Sequence, residues 1–229
     1  MTLYDGFINQ IIGLLPQNGK TFQYEKSPLK EGDKNSVLLL RDTAYELGGS
    51  QKPCVSATVV SSSFEFDNSV RLFGKDLGEI NGDCPFVKIV LLQIEDIGEE
   101  EAFDKIKELE KIRYIFCPEG FMTRASALSL REQIRVGKKA IRDGVSFKDY
   151  GNALIERYRQ HPLVKSVSII FLTEFSRFDS LLLICDKIKN TTSALNHILD
   201  NLLFDCASCN LKSICDEVEG MKELHMKKR

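Results

Sequence analysis

At 229 residues with a formal net charge of −2, the chain is long enough to bury its own core and has no global positive field for collecting DNA or RNA. Hydrophobic residues make up 43% and charged residues 28%, and no apolar run approaches the roughly 18 residues of a membrane span. The opening segment carries Asp5 and lacks a basic n-region, so it reads as a helix and not as a signal peptide. Nucleic acid and membrane are therefore excluded as first expectations, and the protein is expected in the cytoplasm.

In chain order, Leu3, Phe7, Ile8, Ile11 and Leu15 recur at helical spacing until Pro16 and Asn18-Gly19 end the pattern, which predicts a first helix. The apolar run "VLLLRD" and the β-branched "CVSATVVSSS" read as strands on either side of an "ELGGSQKP" turn, and "VRLFG" and "FVKIVLLQIED" repeat the strand signal. "EEEAFDKIKELEKI" predicts a surface helix with acids in its first turn. "SLREQIRVGKKAIRDG" and "FKDYGNALIERYRQHP" predict two more, the second stopped by Pro162. "VKSVSIIFLTE" predicts a buried strand, "FDSLLLICDKIKN" and "SALNHILDNLLF" two helical stretches, and "CDEVEGMKELHMKK" a last helix. The expected fold class is α+β, a mixed sheet packed with helices, with residues 1–204 as an α/β domain and 205–229 as a small Cys-rich metal-binding segment.

Several common motifs fail. "GLLPQNGKT" has five residues between Gly13 and Gly19 where a phosphate loop has four, and a helix precedes it in place of a strand. No GxGxxG, GxSxG or HExxH occurs. Of the three histidines, His161 beside Pro162 reads as a helix-end residue and His197 as a structural one.

Two patterns carry chemistry. On a helix, Arg131, Arg135, Lys138, Lys139 and Arg142 would line one side, a stripe suited to a phosphate-rich ligand such as coenzyme A. The alternative is a solvated face with Glu132 and Asp143 as partners. Of seven cysteines, Cys54, Cys84, Cys117 and Cys185 stand alone, whereas Cys206 and Cys209 form a C-x2-C knuckle followed by Cys215. His225 is the nearest fourth ligand for a site holding zinc or an iron-sulfur cluster, against the alternative of three free thiols.

The ordered series "ELGG", "VRLFGKDLGEI", "FVKIVLLQIED", "REQIRVGKKAIRDGVSFKDYGNALIERY", "VKSVSIIFLTE" and "FDCASCNLKSIC" resembles the β subunit family of the acetyl-CoA decarbonylase/synthase complex, the CO-methylating acetyl-CoA synthases. The resemblance implies the middle domain of that subunit plus the start of its last domain. It implies that Cys206, Cys209 and Cys215 stand for the first three ligands of a [4Fe-4S] cluster and that Arg131, Arg135 and Arg142 bind coenzyme A. The chain departs from the family in a shorter gap before Cys215, in His225 at the fourth cysteine position, and in the missing Cys-Gly-Cys nickel motif, so a complete synthase is not expected. The expectation is a shortened stand-alone relative with a 4Fe-4S cluster, serving as an accessory or electron-transfer protein in anaerobic one-carbon metabolism. CO dehydrogenase/acetyl-CoA synthase components or a redox protein would be its partners. The alternatives are a coenzyme A or protein-binding module with structural zinc, and a synthase component active only within a complex.

Overall fold

The computed structural model describes residues 1–32, 37–49, 51–98, 101–126, 129–199, 209–218 and 220–221, with side chains of the last long helix described as far as residue 196. Among the described residues, eight strands divide between two sheets. The strands are β1 (Lys20–Gln23), β2 (Thr43–Leu47), β3 (Cys54–Ser61), β4 (Ser69–Phe73), β5 (Phe86–Ile94), β6 (Phe121–Ala125), β7 (Glu132–Gly137) and β8 (Val164–Leu172). The larger sheet has the order β1-β4-β8-β5-β3, with β3 parallel to β5, β4 parallel to β8, and the β5–β8 and β1–β4 pairs antiparallel. The smaller sheet, β2-β7-β6, is antiparallel throughout.

The apolar runs explain the larger sheet. β3 is buried at every position and β5 at all but one, the signature of strands covered on both faces. Register places Phe86, Lys88 and Val90 of β5 on one face with Phe171 and Ile169 of β8 and with Cys54, Ser56 and Thr58 of β3. The helices are α1 (Asp5–Leu14), α2 (Ala102–Ile115), α3 (Lys138–Arg142), α4 (Phe147–Arg159), α5 (Phe178–Leu199) and α6 (Lys212–Glu217). α4 starts at a capping box in which Ser146 and Asp149 satisfy each other's backbone amides, and it lies across β4 and β8. Its Phe147 and Tyr150 join Phe86 and Phe171 in an aromatic cluster whose nearest rings are 4.8 Å apart. α1 and α5 pack on each other, joined by a 2.9 Å hydrogen bond between the Tyr4 and Thr192 hydroxyls, and α5 also rests on β3.

Mixed sheets packed with helices agree with the expected mixture of α and β. Three local expectations are corrected. "SLREQIRVGKKAIRDG" is not one helix: residues 132–137 form β7, the central strand of the smaller sheet, and only five residues after it are helical. "VLLLRD" is not a strand but extended chain leading into a single 3-10 turn, with Val37 and Leu40 exposed at 64% and 72%. The first of the two late helical stretches and the second as far as residue 199 form one continuous helix, α5.

The Cys-rich metal-binding segment of the expected fold is also corrected. Among the described residues no three His, Cys, Asp or Glu side chains gather where they could hold a metal. What the segment shows is apolar packing. α6 buries Ile214, and Val218 and Met221 follow it into the core, while Lys187 of α5 pairs with Glu217 and Lys212 with Asp216 at 3.3 Å. Cys206 and His225 lie outside the described residues, as does the His197 side chain.

Gly151 marks where α4 approaches the sheet most closely. A Cβ there would stand 2.5 Å from Val70 Cγ2 and 3.1 Å from Phe171. Gly151→Ala is therefore expected to lower unfolding free energy by about 1–3 kcal/mol through overpacking, despite alanine's better helix propensity. Denaturant titration checks this, and Gly144→Ser, which meets open space in a turn, is the wrong control because its φ of +75° itself favours glycine. Gly13→Ala, with nothing within 4 Å, is the appropriate comparison.

Candidate functional site

The five expected cations do not share a helix face. Arg131 precedes β7, Arg135 is within it, and Lys138, Lys139 and Arg142 fall on α3. The guanidinium of Arg131 donates to the carbonyl oxygens of Gly48, Gly49 and Lys52 at 3.2–3.4 Å, tying down the turn after β2. That of Arg135 pairs with Glu46 at 2.5 Å and donates to the Leu38 carbonyl at 3.3 Å. Both arginines thus hold the chain together.

The other three border one cavity of about 710 Å³, a size in the usual range for ligand sites. Its wall combines the apolar side chains of Pro28, Leu29, Leu38 and Val145 with Lys30, Lys138, Lys139 and Arg142. Four carboxylates, Asp42, Glu119, Asp143 and Asp149, also line it. Most of these are engaged: Asp149 caps α4, Glu119 faces Lys139 at 3.4 Å, and Asp42 faces Arg41 at 3.7 Å. Among the described residues, Lys138 Nζ donates only to the Arg41 carbonyl, at 2.8 Å. Among the described residues, Lys30, Lys138 and Arg142 are left against Asp143, a local positive excess beside an apolar wall.

A second polar constellation was not foreseen. Glu132, fully buried at the start of β7, binds Lys88 of β5 through Oε1 and faces Arg113 Nε of α2 at 3.6 Å through Oε2. Lys88 is 1% exposed and Arg113 6%. Arg113 also donates to the carbonyl oxygens of Ser56 at 3.4 Å and Ser126 at 3.2 Å. The backbone of Glu132 is fixed as well, since its carbonyl accepts a 2.7 Å hydrogen bond from the Cys54 thiol. Burial pulls the Lys88 ammonium below its ordinary pKa, and the Glu132 carboxylate opposes that shift. Burial likewise raises the Cys54 thiol and the Tyr158 phenol, whose oxygen lies 3.2 Å from Thr58 Oγ1. The alternation of Glu132, Ile134 and Val136 as buried positions was the signal available in sequence, disguised by a carboxylate on the inward side.

The cysteines expected to bind a cluster are not brought together as a metal centre among the described residues. Cys209 precedes α6 and Cys215 lies within it, and both are partly buried. The iron-sulfur and zinc expectations are therefore withdrawn. Cys54 and Cys185 are buried thiols, the latter pushed by burial up to about 12.

The buried triad generates a paired prediction. Glu132→Gln leaves two cationic side chains without their carboxylate and is expected to cost about 3–5 kcal/mol, whereas Lys88→Met leaves the Arg113–Glu132 pair intact and costs less than half as much. Because Lys88 gives up its proton more readily in the folded than in the unfolded chain, the unfolded state binds more protons in the interval below the ordinary lysine value of 10.5. Stability contributed by this group therefore rises as pH climbs through that interval. Urea titrations at stepped alkaline pH should show the rise in the parent protein and its loss in Lys88→Met.

Residues 23–178, more than half of the chain, match the family described as CO dehydrogenase/acetyl-CoA synthase complex beta subunit. A comparison with curated proteins gives no match. The chain belongs to this beta-subunit family.

Proposed function

With membership of the beta-subunit family as premise, we propose that this chain is a ligand-binding component of a CO dehydrogenase/acetyl-CoA synthase type of assembly. Its cavity between α3, the 28–30 segment and the chain before β2 receives a phosphate-bearing, partly apolar ligand of the coenzyme A kind. The observation that carries the reading is the convergence of Lys138, Lys139 and Arg142 on one cavity with Leu29, Leu38 and Val145. An arginine fork and two ammonium groups match phosphate oxygens, and the apolar wall matches an alkyl or pantetheine arm. Arg131 and Arg135 take no part in contacting the ligand, because their donors are committed to Gly48, Gly49, Lys52, Glu46 and Leu38. Their role is to hold the turn and strand from which α3 departs.

No helix among the described residues is long and apolar enough to cross a membrane. The exposed Val37, Leu39 and Leu40, next to this cavity, give the same region an apolar rim on which another subunit of the assembly would sit.

Calorimetric titration with coenzyme A tests the proposal. The double variant Lys138→Ala/Arg142→Ala is expected to weaken binding by about tenfold or more, as loss of charge-assisted hydrogen bonds does. Arg135→Ala should leave affinity nearly unchanged while lowering the melting temperature. Unaltered affinity in the double variant, or absence of coenzyme A binding by the parent chain, would overturn the reading.

A further inference from the structure

A smaller cleft is bordered by Arg113 of the buried triad, between α2 and α5 at the edge of β3. Its volume is about 140 Å³, below the roughly 300 Å³ at which sites for drug-sized ligands begin, so it suits a small ion and not a nucleotide. Lys107, Glu110 and Arg113 of α2 form one wall, Ser193 of α5 another, and Thr58 and Ser129 lie on the β3 side. Cys185 and Lys189 of α5 also border it.

Three observations give this cleft the character of an oxyanion site. Arg113 is more than nine-tenths buried, its Nε faces Glu132 Oε2 at 3.6 Å, and its two terminal nitrogens, which donate to the Ser56 and Ser126 carbonyls, each carry a second N–H. Behind the wall, one carboxylate, Glu132, serves two cationic side chains, Lys88 and Arg113. On the β3 side, Ser129 Oγ already accepts from the Arg131 amide at 3.3 Å, which leaves its hydroxyl hydrogen to be given away. The acidic residue present, Glu110, is paired with Lys107 at 2.7 Å.

We propose that this cleft binds a small tetrahedral oxyanion of the inorganic phosphate class, held by Arg113, Lys107 and the hydroxyl of Ser129. The anion supplies negative charge beside the cationic side of the triad. Ser193, whose hydroxyl now donates to the Lys189 carbonyl at 3.1 Å, is a further donor once it rotates. The site is separate from the cavity at α3, and the two rest on different residues.

The test measures inorganic phosphate binding by calorimetry and by thermal shift, with sodium chloride at equal ionic strength as reference. Phosphate is expected to raise the melting temperature above the chloride value by more in the parent than in the Lys107→Gln/Ser129→Ala variant, where only the general stabilising effect of the ion remains. Lys107→Gln/Ser129→Ala, which alters a half-exposed lysine and a hydroxyl, should fold normally and lose about tenfold or more in phosphate affinity. In the Lys138→Ala/Arg142→Ala background, phosphate binding should persist while coenzyme A binding falls, so failure of one site is distinguishable from failure of the other. Equal effects of phosphate and chloride, or unchanged affinity in Lys107→Gln/Ser129→Ala, would overturn the proposal. Loss of phosphate binding in Lys138→Ala/Arg142→Ala would overturn it too, by placing the ion in the cavity at α3.

Discussion

Glu132 is fully buried, and a carboxylate in that position must be met by charge or it will not stay ionised at tolerable cost. Lys88 comes to it from the larger sheet and Arg113 from α2, so three elements far apart in sequence are required to meet at one point. The consequences spread outward. The Cys54 thiol closes on the Glu132 carbonyl, the Ser56 amide closes on the Leu130 carbonyl at 2.7 Å, and the guanidinium of Arg113 grips the carbonyls of Ser56 and Ser126. The edge of β3 is thereby capped by the segment entering β7, and the smaller sheet cannot slide along the larger one without unpairing a buried charge.

That anchoring decides what the other cations can do. Because β7 is fixed at Glu132, Arg135 reaches Glu46 on the neighbouring strand and Arg131 reaches the turn beyond it. Only after Gly137, where the chain leaves the strand for α3, do the side chains of Lys138, Lys139 and Arg142 reach a cavity wall. The same stretch of sequence therefore contains structural arginines and ligand-facing cations, separated by the end of a strand.

The strands β3, β5 and β8 and the helix α4 could be read from sequence because each is long and its burial follows its composition. β7 could not, because its cations repeat at intervals that also fit a helix, and its one buried charge conceals the two-residue period. The interruption expected near Asn190 to Ser193 fails for a local reason. Thr191, Thr192 and Ser193 turn their hydroxyls back onto the carbonyls of Lys187, Ile188 and Lys189, so a run of hydroxyl residues that suggests a break is absorbed within α5. "VLLLRD" shows the converse, an apolar run that finds no strand to pair with. For the cysteines, spacing specifies reach but not convergence, and α6 turns toward the core through Ile214 and Val218 instead. The cavity at α3 was legible in its residue types and illegible in its shape.

The strand order of the larger sheet bears on how the molecule assembles. Among the described residues β8 is the last strand in sequence and the middle one in space, pairing with β4 on one side and β5 on the other. Before residue 172 has been synthesised, β1 with β4 and β3 with β5 are separate two-stranded units, each presenting an open apolar edge. Pairings this distant in sequence close late and slowly. A nascent chain of this protein therefore emerges with its two half-sheets waiting, and the interval before β8 arrives is when it is most exposed to pairing with another chain.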